Sequence, residues 1–339
     1  MPTHCRPSRE RAWSLGKEMK SSSTELNLPV AWTKPRTKAN LHILRAHRSS
    51  KAVIIRRKPS KCVHIISWDT DSDALEHGSW FRGRIYSERC DLSWDGRWMV
   101  YLAMGSRGET WNGISEPPWL RTVADVPNMG TWAGGGVFSD ARTLRSNDAW
   151  HHDRSLSEFS KSNKFPFSIE RMESGGEVFP ILSHRLERDG WKREGDFVKD
   201  QKISLKHSSY STLCVGDPGW SWQPTPKHPV LRMFYRGYLV QGYTFEFSLD
   251  DSELLDPGVD WATWDAKGDL LVARQGAIQR YTLDGLKMGS PTFSADFESL
   301  NPPESRQAQQ VGAGQPATRF ESDSEGSDKP QPESEGRSR

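Results

Sequence analysis

Asp91-Leu92-Ser93-Trp94-Asp95-Gly96-Arg97-Trp98-Met99-Val100-Tyr101 is echoed later in the chain by Asp260-Trp261-Ala262-Thr263-Trp264-Asp265-Ala266-Lys267-Gly268-Asp269-Leu270-Leu271-Val272. Both read as Asp, apolar run, Trp-Asp, glycine turn, apolar run, and each predicts a β-hairpin. In the first copy Asp95-Gly96 predicts a tight type I′ turn, which needs a positive φ at both central residues. In the second, Gly268 comes later, so a longer loop is expected with Gly268 in the left-handed position. A strand-turn-strand unit recurring at about 40 to 50 residues implies stacked all-β units of the size of propeller blades.

Working outward from the first hairpin, Ala52–Arg57 and Cys62–Trp68 read as strands broken by Lys58-Pro59-Ser60. A return strand follows near residues 75–81, then Arg82-Gly83-Arg84-Ile85-Tyr86. Thr110–Ser115, residues 120–124 and 134–139 predict a second unit. Between 150 and 228 the pattern is irregular; Val178-Phe179-Pro180-Ile181-Leu182, Trp191-Lys192-Arg193 and Thr212-Leu213-Cys214-Val215 are the strand candidates. Strands over residues 230–238, 243–249 and 277–283 frame the second hairpin. No stretch keeps a 3.6-residue apolar period for four turns, which argues against long helices. The expected fold is all-β: a β-propeller-like array of four to five short antiparallel sheets.

The ends differ from this core. Residues 1–61 carry 15 Lys and Arg against 3 acids, and residues 291–339 carry 5 against 9, whereas the whole chain is only +2. Residues 1–45 are therefore expected to be a basic disordered leader, 46–290 the β-propeller-like domain, and 291–339 an acidic Ser/Glu/Pro-rich disordered tail, because such segments bury too little apolar surface to offset their ordering entropy. The basic bias admits nucleic-acid binding, although the bases are dispersed rather than gathered on one face. The 4 cysteines make no short metal-ligand spacing and no disulfide framework. With no secretory apolar segment and no membrane-length run, a cytoplasmic location is expected.

The two hairpins resemble the repeats of WD40-like and related bacterial β-propellers, in which Asp-x-Ser-x-Asp-Gly links adjacent strands of a blade. Ser49–Arg57, Trp68-Asp69, Gly83-Arg84-Ile85-Tyr86 and Arg89-Cys90-Asp91-Leu92-Ser93 together resemble a family of bacterial hypothetical proteins. That resemblance implies the propeller fold over about residues 45–290 and transfers no catalytic residue. The Gly-His dipeptide of WD40 repeats is absent.

Signatures of chemistry are missing: no G-x-x-x-x-G-K-[ST], no G-x-S-x-G and no H-E-x-x-H. Asp69-x-Asp71-x-Asp73 opens like a calcium loop, but Ala74 stands where glycine is needed and Trp80 where the bidentate Glu belongs, so a polar turn is expected. His151-His152-Asp153 reads as solvated, and His64 and His77 as satisfied histidines rather than a ligand pair. No catalytic residue, metal site or cofactor is therefore assigned. The binding candidates are Arg56, Arg57, Lys61, Arg82, Arg84 and Arg89, concentrated in the first unit where guanidinium forks suit an anion. Trp220 and Trp222 join them, expected in a loop between Pro218 and Pro224. Of the 15 tryptophans in the chain, Trp94, Trp98 and Trp264, in or beside the hairpin strands, are assigned to packing between blades.

The functional expectation is a non-catalytic binding or scaffolding protein whose partner is a protein or an anionic small ligand. The alternatives are a propeller-type hydrolase or lyase with a channel site for an anionic or sugar substrate, and nucleic-acid binding through the leader.

Overall fold

Alternation along the first strands determines how the sheets stack. A computed structural model describes residues 38–128, 130–147, 156–160, 164–172, 178–194, 219–238, 242–250 and 258–303. Strands β1 (Asn40–Arg45), β2 (Lys51–Arg57) and β3 (Cys62–Asp69) are buried almost throughout, so they read as apolar runs rather than alternating ones. Successive side chains nevertheless leave a strand on opposite faces. Leu41, Ile43, Ala52, Ile54, Ile66 and Trp68 join one apolar cluster, whereas Leu44, Val53, Ile55, Val63 and Ile65 join another. A sheet covered on both faces is the condition of a propeller blade.

β4 (Ala74–Ile85) is long enough to serve two sheets: residues 74–82 pair with β3 and residues 83–85 with β6. The second sheet is completed by β5 (Asp91–Leu92), β6 (Met99–Gly105), β7 (Thr110–Ser115) and β8 (Thr122–Asn128). The third holds β9 (Gly136–Asp140), β10 (Thr143–Ser146) and β11 (Ser168–Arg171), with the short helix α1 (Ser157–Ser160) between the last two; β10–β11 is a parallel pair and all other pairs are antiparallel. Helix α2 (Phe179–Arg188) precedes the fourth sheet, β12 (Lys192–Glu194), β13 (Gly219–Trp222), β14 (Leu231–Tyr238) and β15 (Gly242–Leu249). The fifth comprises β16 (Val259–Trp264), β17 (Leu270–Arg274), β18 (Ala277–Tyr281) and β19 (Phe293–Asp296), with α3 (Leu283–Met288) before its last strand. These five sheets make the all-β, propeller-like array expected.

The sheets meet in a ring. One cluster joins the first and second sheets, another joins Val100, Ile114 and Ala124 to Phe138, Leu144 and Ile169 of the third, and α2 bridges the third and fourth. The largest cluster packs the fourth and fifth sheets against Leu41, Ile43 and Trp68 of the first. Polar contacts cross the same seam: Asn40 Nδ2 donates to Asp260 Oδ1 at 2.8 Å, and Ala39 N to Glu298 Oε2 at 2.7 Å.

Four expectations change. β1 and β19 lie outside the 46–290 span. Residues 178–182 begin a helix rather than a strand: a proline sits in the first turn, and the buried Ile181, Leu182, Arg185 and Leu186 follow a helical spacing. Trp220-Ser221-Trp222 is strand β13, not a loop, with Trp220 buried in the main core. In the first hairpin only Gly96 has positive φ, 76°, so the turn is not type I′. Gly96 N donates to Ser93 O and Gly268 N to Asp265 O, with Gly268 at φ 89° as expected. The two turns thus align by glycine, which sets Ser93 beside Asp265 and displaces the shared Trp-Asp letters. Residues 151–153 and 212–215 lie outside the described residues.

Candidate functional site

Helix α2 packs among the sheets. Its Arg185 guanidinium lies 5.7 Å over the Trp261 ring of β16, reaches His42 Nε2 of β1 at 3.2 Å, and donates to Cys90 O just before β5. Arg188 grips Asp91 of β5 with two bonds, 2.5 and 3.0 Å, and donates to Phe138 O of β9 at 2.9 Å. One helix face therefore touches four of the five sheets. Asp189, just past the helix, accepts Arg188 Nε at 2.9 Å and faces Arg45 and His47, both at 3.4 Å.

Electrostatics bind this network tightly. Burial alone would raise Asp189, but Arg45 and Arg188 hold it well below the usual carboxylate range. Burial raises Asp91 while Arg188 opposes that rise; burial alone would lower Arg188, yet Asp91 and Asp189 lift it above its ordinary value, and the two-point contact between Arg188 and Asp91 has ion-pair geometry. Burial, and then Arg185, push His42 well below its ordinary value, leaving it neutral at pH 7. Both oxygens of Asp91 are engaged, one of them also accepting Phe138 N at 2.8 Å. The arrangement is a strut between sheets.

At one end of the first three sheets the connecting loops enclose a cleft of about 270 Å³, lined by Arg48, Ser49, Ser93, Trp94, Asp95, Trp98, Ala141, Pro166 and Phe167. Trp94 is held from several sides. Its Nε1 donates to Phe138 O at 3.3 Å, the His47 ring sits 4.3 Å away, and the Arg48 guanidinium lies 4.6 Å over it. Backbone bonds fix the neighbours: Arg48 N donates to Trp94 O at 2.9 Å, and Ser49 Oγ to Asp95 O at 3.0 Å. Trp98 packs edge-on against Phe165 and Phe167, and its buried Nε1 has no hydrogen-bond partner. The cleft is thus an aromatic floor with a cation at its mouth.

The residues singled out in the sequence are dispersed. Arg56, on the face of β2 that carries Ile54, turns to the first-to-last seam, donating to Phe297 O at 2.6 Å, Leu300 O at 2.8 Å and Glu298 O at 3.1 Å. Arg57 is half-buried on the opposite face of β2, and Lys61 and Arg82 are exposed. Arg84 and Arg89 do meet, at 5.8 and 5.4 Å over the Tyr86 ring. Arg89 is buried and bonds the carbonyls of Thr131 and Ala133, on either side of Trp132, which is 71% exposed. Trp220 lies in the core and Trp222 is half-buried beneath Arg45, 4.9 Å from its ring. Asp69, Asp71 and Asp73 pair with Lys51, Lys267 and Arg280. Among the described residues no group of three metal-ligating side chains converges.

Sequence reasoning missed Arg48 and Phe167 and assigned Trp94 and Trp98 to packing alone. The available signal was the Trp94 hairpin itself, since hairpin tips are loops and loops carry contacts.

The fold and site define a propeller-like protein with a helix tied to four of its sheets and a cleft among its loops. No family model and no curated protein matches the chain, so the bacterial family resemblance is not shown. Among solved structures it is similar to an uncharacterized protein from Listeria monocytogenes (11% identity, TM-score 0.29, covering 74% of this chain and 81% of that one). It is also similar to the β-propeller domain of the Trilobed protease from Pyrococcus furiosus (10%, 0.27, 72% and 82%). A third likeness is to the WD40 domain of SCAP from fission yeast (9%, 0.20, 80% and 68%). The propeller reading of this chain rests on its own sheets and their packing. No helix among the described residues is long and apolar enough to cross a membrane.

Proposed function

We propose that this chain is a non-catalytic binding protein of the cytoplasm, of the bacterial kind that residues 49–93 resemble, which takes a protein or an anionic small ligand at the Trp94 cleft. One observation carries the reading: Arg185 and Arg188 of α2 are spent on tying the sheets together, while the aromatic cleft among the loops is open and carries an exposed arginine. Loops held on a rigid scaffold are where contacts concentrate, and an apolar pocket with a few convergent polar groups is the form a ligand site takes.

A thermal-shift screen of sugars, nucleotides, metals and carboxylic acids, run on the full chain and on Trp94→Ala, tests this. A ligand at 100 times its dissociation constant stabilises by about 2.7 kcal/mol. Shifts present in the parent and lost in Trp94→Ala support the cleft. Shifts of equal size in both proteins, or turnover of any compound, overturn the reading.

A further inference from the structure

We infer that the cleft is built for a carboxylate carried on a flat aromatic body, a small aryl carboxylate that lays its ring among Trp94, Trp98 and Phe167 and turns its acid group toward Arg48. The inference rests on the Trp94 cleft being the binding site.

The cation at the mouth of the cleft lacks an acceptor among the described residues. Arg48 is exposed and its guanidinium rests on Trp94 at 4.6 Å, with no side-chain hydrogen bond or ion pair among the described residues. By contrast Lys51 is tied to Asp69 and Arg97 to Glu116. An arginine laid on an indole keeps its N–H edge directed outward in a fixed plane, which suits two-point capture of a carboxylate.

Asp95 is the one acid on the cleft wall, and it is already committed to its own turn. Its Oδ1 accepts Arg97 N at 3.0 Å and the Ser93 hydroxyl. Oδ1 therefore closes the hairpin turn. The remaining wall is apolar, from Ala141, Pro166 and Phe167, which excludes a highly hydroxylated ligand whose groups would be left unmatched. The volume of about 270 Å³ is enough for one aromatic ring with a short acid arm.

Isothermal titration calorimetry with four probes tests the proposal: phenylacetate, its neutral amide phenylacetamide, the cation phenethylammonium, and acetate. Phenylacetate is expected to bind at least about tenfold tighter than phenylacetamide, a gap of about 1.4 kcal/mol, while phenethylammonium and acetate bind more weakly than either. Arg48→Met, which keeps the apolar stem over Trp94, is expected to erase the phenylacetate preference and leave phenylacetamide binding unchanged. Thermal melting of Arg48→Met matching that of the parent shows that the fold is intact. Equal affinity for phenylacetate and phenylacetamide, or a preference that survives Arg48→Met, overturns the carboxylate inference; if that binding still depends on Trp94, the cleft reading stands. Absence of saturable heat with all four probes overturns both.

Discussion

Acid should weaken this fold through His64, and the size of the effect follows from its surroundings. His64 sits on β3, 2% exposed, with its ring stacked on Trp80 at 4.1 Å and 7°. Nδ1 faces Ser79 O at 3.2 Å, and a carbonyl can only accept, so the proton lies on Nδ1. Nε2 then accepts from His77 Nδ1 at 3.0 Å. Burial first, and then His77 and Arg56, lower its pKa from 6.5 to about 4, against the Ser79 carbonyl, which raises it. A base whose folded pKa is lowered lends stability that is fully present above 6.5 and disappears as pH falls toward 4, because the unfolded chain binds a proton the native state refuses. The full difference of about 2.5 units corresponds to ~3.4 kcal/mol, of which about 2 kcal/mol is lost between pH 7 and pH 5. Urea unfolding at pH 7, 6 and 5 reads this directly when the parent is compared with His64→Asn, whose amide can still donate to Ser79 O. His42 also titrates in acid with the same sign, but it is common to both proteins and cancels. The variant should be the weaker protein at pH 7, with the gap narrowing by about 2 kcal/mol at pH 5. A gap constant from pH 7 to pH 5 refutes the reasoning.

Three further outcomes follow from named contacts. Arg56→Met strands the carbonyls of Phe297, Glu298 and Leu300, so urea unfolding should show a loss of roughly 3 kcal/mol and chymotrypsin should cut after Phe293 and Phe297 faster; an unchanged midpoint refutes the seam. Asp91→Asn breaks a buried two-point ion pair and should cost roughly 3–5 kcal/mol in the same measurement, whereas a loss under 1 kcal/mol means Asp189 alone satisfies Arg188. Trp132→Ala removes a side chain that is 71% exposed, and its thermal stability should stay within about 0.5 kcal/mol of the parent.

What could be read from the chain tracks the distance over which each feature is encoded. β2 and β3 are local apolar runs bounded by a turn, and their strands stand where the pattern puts them. Residues 178–182 form an equally apolar run, but their partners along the helix, Arg185 and Leu186, lie beyond the five residues read as a strand. The hairpins were found by shared letters, yet the glycines set the turns. The strut was invisible because Asp91 and Arg188 are 97 positions apart and neither is unusual in its own neighbourhood. Arg56 and Arg57 look like one basic patch in sequence, but the pleat sends them to opposite faces, one to the fifth sheet. The cleft gathers residues from 48 to 167, and only its Trp94 hairpin carried a local sign.

The bond between Ala39 and Glu298 spans 259 positions and has a meaning for how the protein is made. β1 is among the first described strands to leave a ribosome, and its apolar face toward the fifth sheet has no cover until β16 and β17 have been made. At about 5–20 residues per second, the interval is roughly 13 to 50 s. Leu41, Ile43 and Ile54 stay exposed throughout, far longer than a hairpin takes to form. Completion of this ring is therefore set by the arrival of the last strands, and slowing translation should lengthen the chain's dependence on chaperones in proportion.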